Sequence, residues 1–427
     1  MFSQNGLSLD QAPPITVVFK FFFVGAMFGI LSGISLFFYR VEIFDSSSVA
    51  AITFTHLLTL GVMLSFMFAA LFQMLPLIAG VTLTSPQHKS NLLLYPFISG
   101  LITLLLGFNI PQYPWLFLLA AGLLVFSILS AILPMLSKLW SLEHHSPSSK
   151  GIGIALFSLS IIVLLALYLL ATQSGTIDGI YYPQVKTAHY SFGLFGWIGL
   201  LIISISFQVI EMFYVTPPYP SSISKYLPFS LFLFLSISTF IGFFYPDIWN
   251  ITHFLLALLL SFYAILTLKR LTQKKRPLSD ATVWFWRVGL SSLVMSMLFM
   301  LLGEFTSFTF IKPLSYIFFA SFALSIVFAM FYKIVPFLTW FHLNSQGYFT
   351  APMMHEVIHP KTAKKHLYIH LATIVTFIVS LFVNTIIFIS AILTILSFSW
   401  IAYQIIHANK LYKETQKNGE KFDMGNM

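Results

Sequence analysis

Residues Phe54 to Gly80 read FTHLLTLGVMLSFMFAALFQMLPLIAG. A histidine opens the run, small and sulfur-containing residues fill it, and a glutamine, a methionine and a proline close it. At 1.5 Å of rise per residue, His56 and Gln73 stand on the order of 25 Å apart, near opposite ends of one membrane-spanning helix. The pattern returns at Ala188 to Glu211, AHYSFGLFGWIGLLIISISFQVIE, again with histidine first and Phe-Gln near the end. A third copy, Ser315 to Pro336, SYIFFASFALSIVFAMFYKIVP, keeps the closing aromatic, polar and proline positions but has no histidine.

The surrounding chain is as apolar as these runs. Hydrophobic residues make up 58% of it and charged residues 8%, with a mean hydropathy of +0.89, so there is too little polar surface to cover a water-soluble fold. The composition predicts an all-α polytopic membrane protein. The formal net charge of +9 comes from loop cations beside apolar runs, the positive-inside pattern rather than a nucleic-acid patch. With no cysteine, disulfides, thiolate zinc sites, Cys-ligated iron-sulfur clusters and covalent haem attachment are excluded.

Apolar segments of spanning length fall near 15–38, 49–80, 91–109, 113–138, 151–171, 186–216, 226–245, 248–270, 282–304, 310–340, 366–384 and 385–408, about twelve in all. The first lacks a basic lead and is too long for a signal core, so it reads as a span. The turn at Asn109 to Pro114 and the break at Asn384 are the least marked boundaries. One transmembrane domain is expected over 1–412, with 413–427 a polar tail, and the chain beyond His407 reads as disordered. Lys89, Lys138, Lys150, Lys225, the cluster Lys269, Arg270, Lys274, Lys275 and Arg276, then Lys361, Lys364 and Lys365 share one side, which predicts cytoplasmic termini in a bacterial inner membrane.

The three related runs are then spans two, six and ten, and the chain reads as three arcs of four helices. Internal repeats place a functional site where equivalent helices face one another. His56, His189 and His253 open their spans from the outer face, while Gln73, Gln208, Glu211 and Lys333 lie toward the inner one. Each histidine has two readings, a ligand to a buried group or a helix-end imidazole bonded to water or a carbonyl. Glu211 and Lys333, at similar depth, are expected either to pair or to reach the inner surface separately. Met63, Met67 and Met74 share helical spacing that suits copper(I), but packing is the reading preferred for them. His144, His145, His355, His359 and His366 read as loop residues, and HEVIHP lacks the order of a zinc protease. No phosphate loop, nucleophile elbow or dinucleotide fingerprint is present.

Twelve spans in three arcs, a histidine near the outer end of spans two and six, and the closing aromatic-x-x-x-Pro of span ten resemble subunit I of the haem-copper oxidases. The C-type oxidases, nitric oxide reductases and the NnrS family are the nearest in pattern. THLLTLG with FQMLP, FQVIEMFYVTPPYP, and YKIVPFLTWFHL are similar to a set of bacterial membrane proteins on that scaffold. The resemblance implies that His56 matches an axial ligand of the low-spin haem and His189 a copper ligand. Span seven, STFIGFFYP, lacks the His-His pair of the copper site, and span ten has Leu314 and Tyr316 where haem ligands would stand. An oxygen-reducing centre needs an open iron facing a copper held by several imidazoles, so terminal oxidase activity is rejected.

Three expectations follow. The first is a non-oxidase haem b protein, with copper as a further possibility, using His56 and His189 with Tyr190, Tyr316 and His253 nearby, in electron transfer, nitric oxide or stress handling, or haem sensing. The second is a transporter of a metal ion, haem or small solute through Gln73, Gln208, Glu211 and Lys333. The third is an assembly partner of respiratory-chain subunits.

Overall fold

A computed structural model describes residues 12–245, 248–275 and 278–421. The start of the amino-terminal reading, Arg276 of the basic cluster, Pro246 of span seven and the end of the tail lie outside the described residues. Hydrocarbon offers no partner to a backbone N–H or C=O, so a chain of this composition closes its hydrogen bonds within helices. Among the described residues twelve long helices result: α1 (Ile15–Tyr39), α2 (Val49–Ala79), α3 (Pro86–Asn109), α4 (Trp115–Trp140), α5 (Pro147–Gln173), α6 (Tyr182–Tyr214), α7 (Ser221–Phe244), α8 (Ile248–Thr272), α9 (Ala281–Phe305), α10 (Ile311–Ser345), α11 (Pro360–Ser380) and α12 (Ile387–Asn418). Eleven are long and apolar enough to cross a membrane. The other, α11, has 21 residues but carries three lysines and two histidines in its first half. The protein is a multi-pass membrane protein.

Both ambiguous boundaries are turns between antiparallel neighbours. Residues 110–114 join α3 to α4, and a single 3-10 turn at Asn384–Ile386 precedes α12. The tail departs from expectation, because α12 runs unbroken to Asn418 instead of ending in disorder. Tyr412 is buried, Gln346 and Gln416 both donate to its hydroxyl at 2.8 and 3.1 Å, and Tyr348 donates to the Gln416 carbonyl at 3.0 Å. Polar composition suggested a free tail, but these hydrogen bonds dock it on the end of α10.

The three related helices are the inner ones. Of the most apolar stretch of each, 78% is buried in α2, 83% in α6 and 72% in α10, against 33 to 50% in the other qualifying spans. Phenylalanine joins them in pairs. Phe68 of α2 meets Trp197 of α6 at 5.9 Å between ring centroids, Phe195 of α6 meets Phe319 of α10 at 5.6 Å, and Phe66 of α2 meets Phe328 and Phe331 of α10 at 6.4 Å. Tilted and edge-on geometries of this kind add to the dispersion gained by close packing.

The bundle closes by bringing its first and last helices together. A Cβ placed on Gly29 would sit 2.2 Å from the Phe398 ring, and one on Gly33 would sit 2.7 Å from Ile395. Small residues one turn apart let two backbones approach where the lipid supplies no hydrophobic drive. Replacing Gly29 by leucine forces α1 off α12. We expect about 1–3 kcal/mol of lost stability from overpacking, read as a lower thermal midpoint in detergent, with Gly122→Leu, where nothing stands within 4 Å, unchanged.

Candidate functional site

Helices α2 and α6 share a second feature besides their histidines. Each leaves α-helical geometry just past the imidazole, α2 through a π-helical stretch at Leu57–Leu64 and α6 at Phe192–Gly199, eight residues apiece. Wide turns of this sort are rare and concentrate at functional sites, because they shift the register of every side chain that follows. The third copy, Ser315 to Pro336, has no histidine and runs within the 35-residue α-helix α10.

His189 lies within reach of the charge of His56. The His56 Nδ1 stands 2.8 Å from the Ile52 carbonyl. A carbonyl only accepts, so Nδ1 carries the proton and the lone pair of Nε2 is left bare. The imidazole is half-buried and lies 5.3 Å from the Phe108 ring. His189 lies against the Ile162 carbonyl of α5, and its Nδ1 is buried without a hydrogen-bond partner. Two imidazoles, one with a fixed tautomer and one with an orphaned nitrogen, form a donor set suited to haem iron or to copper.

Other sequence-selected residues gather elsewhere. Tyr316 and Tyr190, 49% and 41% exposed, stand near one another, and Glu304 lies close to Tyr190. The Nδ1 of His253 is 3.8 Å from a Glu304 oxygen. These four residues make a rim cluster at the end opposite Lys333 and Asp280, and an exposed Tyr316 does not suit an axial ligand. Met63, Met67 and Met74 are all packed in the core.

At the basic end Glu211 and Lys333, for which the sequence left pairing and separate placement open, take different partners. Lys333 donates to Asp280 at 2.7 Å and lies 5.4 Å from the Tyr214 ring centroid, while Glu211 accepts the Tyr219 N–H at 2.8 Å. Asp280 is the N-cap of α9, bonded by the Val283 N–H at 3.1 Å and the Thr282 hydroxyl at 2.7 Å, so it was already fixed where Lys333 emerges. Burial alone would raise the Asp280 carboxyl. The Lys333 ammonium and the hydrogen bonds outweigh it and hold the group below its ordinary range. In the loop after α6, burial pushes the Tyr219 phenol up, and its hydroxyl donates to Thr267 at 3.1 Å. Gln208 is half-buried on α6. Gln73 is 1% exposed, and neither atom of its amide has a partner.

His366 was expected in a loop and is instead fully buried on α11, one turn from a second buried histidine, His370. Pro360 and three lysines within five residues gave the segment a loop-like composition. The signal was its periodicity: Ala363, His366, Leu367 and His370 are buried on one stripe, and Lys361, Lys364 and Lys365 are exposed on the other. His359 caps the helix, its Nδ1 accepting the Lys361 N–H at 3.1 Å.

The chain matches no protein-family model and no curated protein. Asp280→Ala removes both the cap of α9 and the partner of Lys333. It should cost about 1–2 kcal/mol at neutral pH, measured by thermal unfolding in detergent. A carboxyl held low in the fold stabilises above its unfolded pKa, and that contribution disappears as pH falls through the folded value. The gap between parent and variant should therefore persist to mildly acidic pH and narrow only below the usual carboxylate range.

Proposed function

We propose that this is a non-oxidase haem b protein of the haem-copper oxidase-like kind, multi-pass in a bacterial inner membrane with cytoplasmic termini, in which His56 and His189 hold the prosthetic group. What supports the reading is a pair of imidazoles on corresponding helices, one within reach of the other's charge, each followed by a π-helical stretch and each with a nitrogen not committed to the protein. A bound haem would supply reversible one-electron chemistry there. The chain's own part is to keep the tautomer of His56 fixed through Ile52 and to surround the site with apolar side chains that exclude water. Electron transfer alongside respiratory-chain subunits is the role this arrangement serves best, since span seven lacks the histidines of a copper centre.

The protein purified in detergent from haem-replete cells should show a Soret band and iron in the same sample. The band should be lost or shifted in the double variant His56→Ala, His189→Ala, with the elution profile unchanged. A colourless, iron-free preparation, or a band indifferent to both substitutions, would overturn the proposal. Copper without haem at the same two residues would move the assignment to a metal site.

Solute transport is the second reading, and the unpartnered Gln73 amide favours it, because a buried amide without a partner costs about 1–3 kcal/mol. If that amide only packs, Gln73→Leu should raise the thermal midpoint. If it serves a passing solute, the same change should abolish flux into proteoliposomes.

A further inference from the structure

Two cations set inside the spans are met by the protein itself. Lys20 of α1 donates to the Asn91 side-chain oxygen of α3, and Lys333 of α10 pairs with Asp280. Arg287 is different. It is the seventh residue of α9, about 9 Å along the axis from the helix start, and its guanidinium makes no ion pair or hydrogen bond among the described residues. What it does meet is the ring of Trp284, one turn nearer the basic end, 4.7 Å from guanidinium carbon to ring centroid. An aromatic face attracts and orients a cation but does not neutralise it.

The side of α9 on which this happens is the one turned to lipid. Phe285 packs on Phe328 of α10 and His366 of α11, and Trp286 is buried beside Tyr214 of α6. Trp284, Arg287, Ser291, Leu298 and Leu302 repeat at helical spacing on the other side, where all are exposed or half-buried. A helix of 25 residues is about 37 Å long against roughly 30 Å of hydrocarbon, so Arg287 is rooted just below the edge of the acyl region and its side chain reaches the phosphate level. A guanidinium facing lipid is costly until an anion meets it.

A second polar group on the same stripe is also uncommitted. Hydroxyls at exposed positions of other spans bond back to the preceding turn, Thr59 to the Thr55 carbonyl and Thr103 to the Ser99 carbonyl, each at 2.8 Å. Ser291, one turn deeper than Arg287, is exposed and makes no such bond. The loop leading into α9 completes the surroundings. It carries Lys274 and Lys275, and it presents Leu278 to the outside with the Lys274 ammonium 3.0 Å from the Leu278 carbonyl. The carboxylate of this segment, Asp280, is already occupied by Lys333, Thr282 and the Val283 N–H.

We propose that the Trp284–Arg287 face of α9 binds one anionic phospholipid of the phosphatidylglycerol class, with its phosphate on the guanidinium and its ester region against Ser291. The planar guanidinium can give a phosphate two parallel hydrogen bonds while its flat side stays on the indole. The neighbouring lysines favour a headgroup with no cation of its own, which sets phosphatidylglycerol above phosphatidylcholine. An arginine that only reached interfacial water would need neither a stacking ring at a fixed place nor an unbonded hydroxyl one turn deeper.

The full-length protein, stripped of co-purified lipid in detergent, is titrated with phosphatidylglycerol and separately with phosphatidylcholine, and bound lipid is counted by native mass spectrometry. The first phosphatidylglycerol should bind about fivefold more tightly than the first phosphatidylcholine. Arg287→Gln should remove that preference, whereas Lys364→Gln, which takes an exposed cation from α11, should leave it intact. If Arg287→Gln is not monodisperse, Trp284→Leu reads the same site, because it keeps the charge and removes the stacking face; an unchanged preference there counts against the proposal. Equal affinity for the two lipids in the wild type, or a preference that survives Arg287→Gln, would overturn it. So would a thermal midpoint raised as much by inorganic phosphate as by phosphatidylglycerol, which marks a soluble anion, or a dimer in light scattering that Arg287→Gln dissociates with no response to lipid, which marks a second copy of the chain. The absorption spectrum reports separately on His56 and His189, so the two proposals fail independently.

Discussion

Hydrocarbon denies every polar group the partner that water would supply, and each feature of this protein answers that constraint. The backbone answers by becoming helical throughout its spans. Hydroxyls answer by bonding back to the preceding turn, and where the same groups reach across to a neighbouring helix, they define a polar seam in an otherwise apolar bundle. Charges answer by staying at helix ends, where Lys333 finds the Asp280 cap and His253 finds Glu304.

Because the lipid is as apolar as the helices it surrounds, what holds the bundle together is shape. Aromatic rings join α2, α6 and α10 at the centre, and glycines admit α12 against α1 at the closure. The central position of the three related helices gives the repeat its meaning. Two copies keep a histidine and a π-helical stretch. The third keeps only the helix, lengthened and regular, and supplies aromatic packing to the other two.

Some residues could not be placed correctly from composition alone. Lys333 had an acidic neighbour at matching depth in Glu211, yet Asp280 belongs to a loop whose path the sequence does not reveal, and the cap it forms put a carboxylate nearer. His366 was masked by the lysines around it, although burial at positions 363, 366, 367 and 370 follows the helical repeat that those lysines also obey. The helical tail beyond His407 depended on partners more than sixty residues away, Gln346 and Tyr348.

Sequence by itself determined the class of the protein, the approximate limits of its spans and the identity of the three helices at its centre. These follow from hydropathy and repetition, which are local properties that any bilayer imposes on a chain. Tertiary structure alone decided which polar groups meet: Lys333 with Asp280, His370 with Ser325, Ser321 with Ser292. Hydrogen bonds and ion pairs act over a few ångströms between helices far apart in the chain, so their partners are chosen by packing, and packing is set by all twelve helices together.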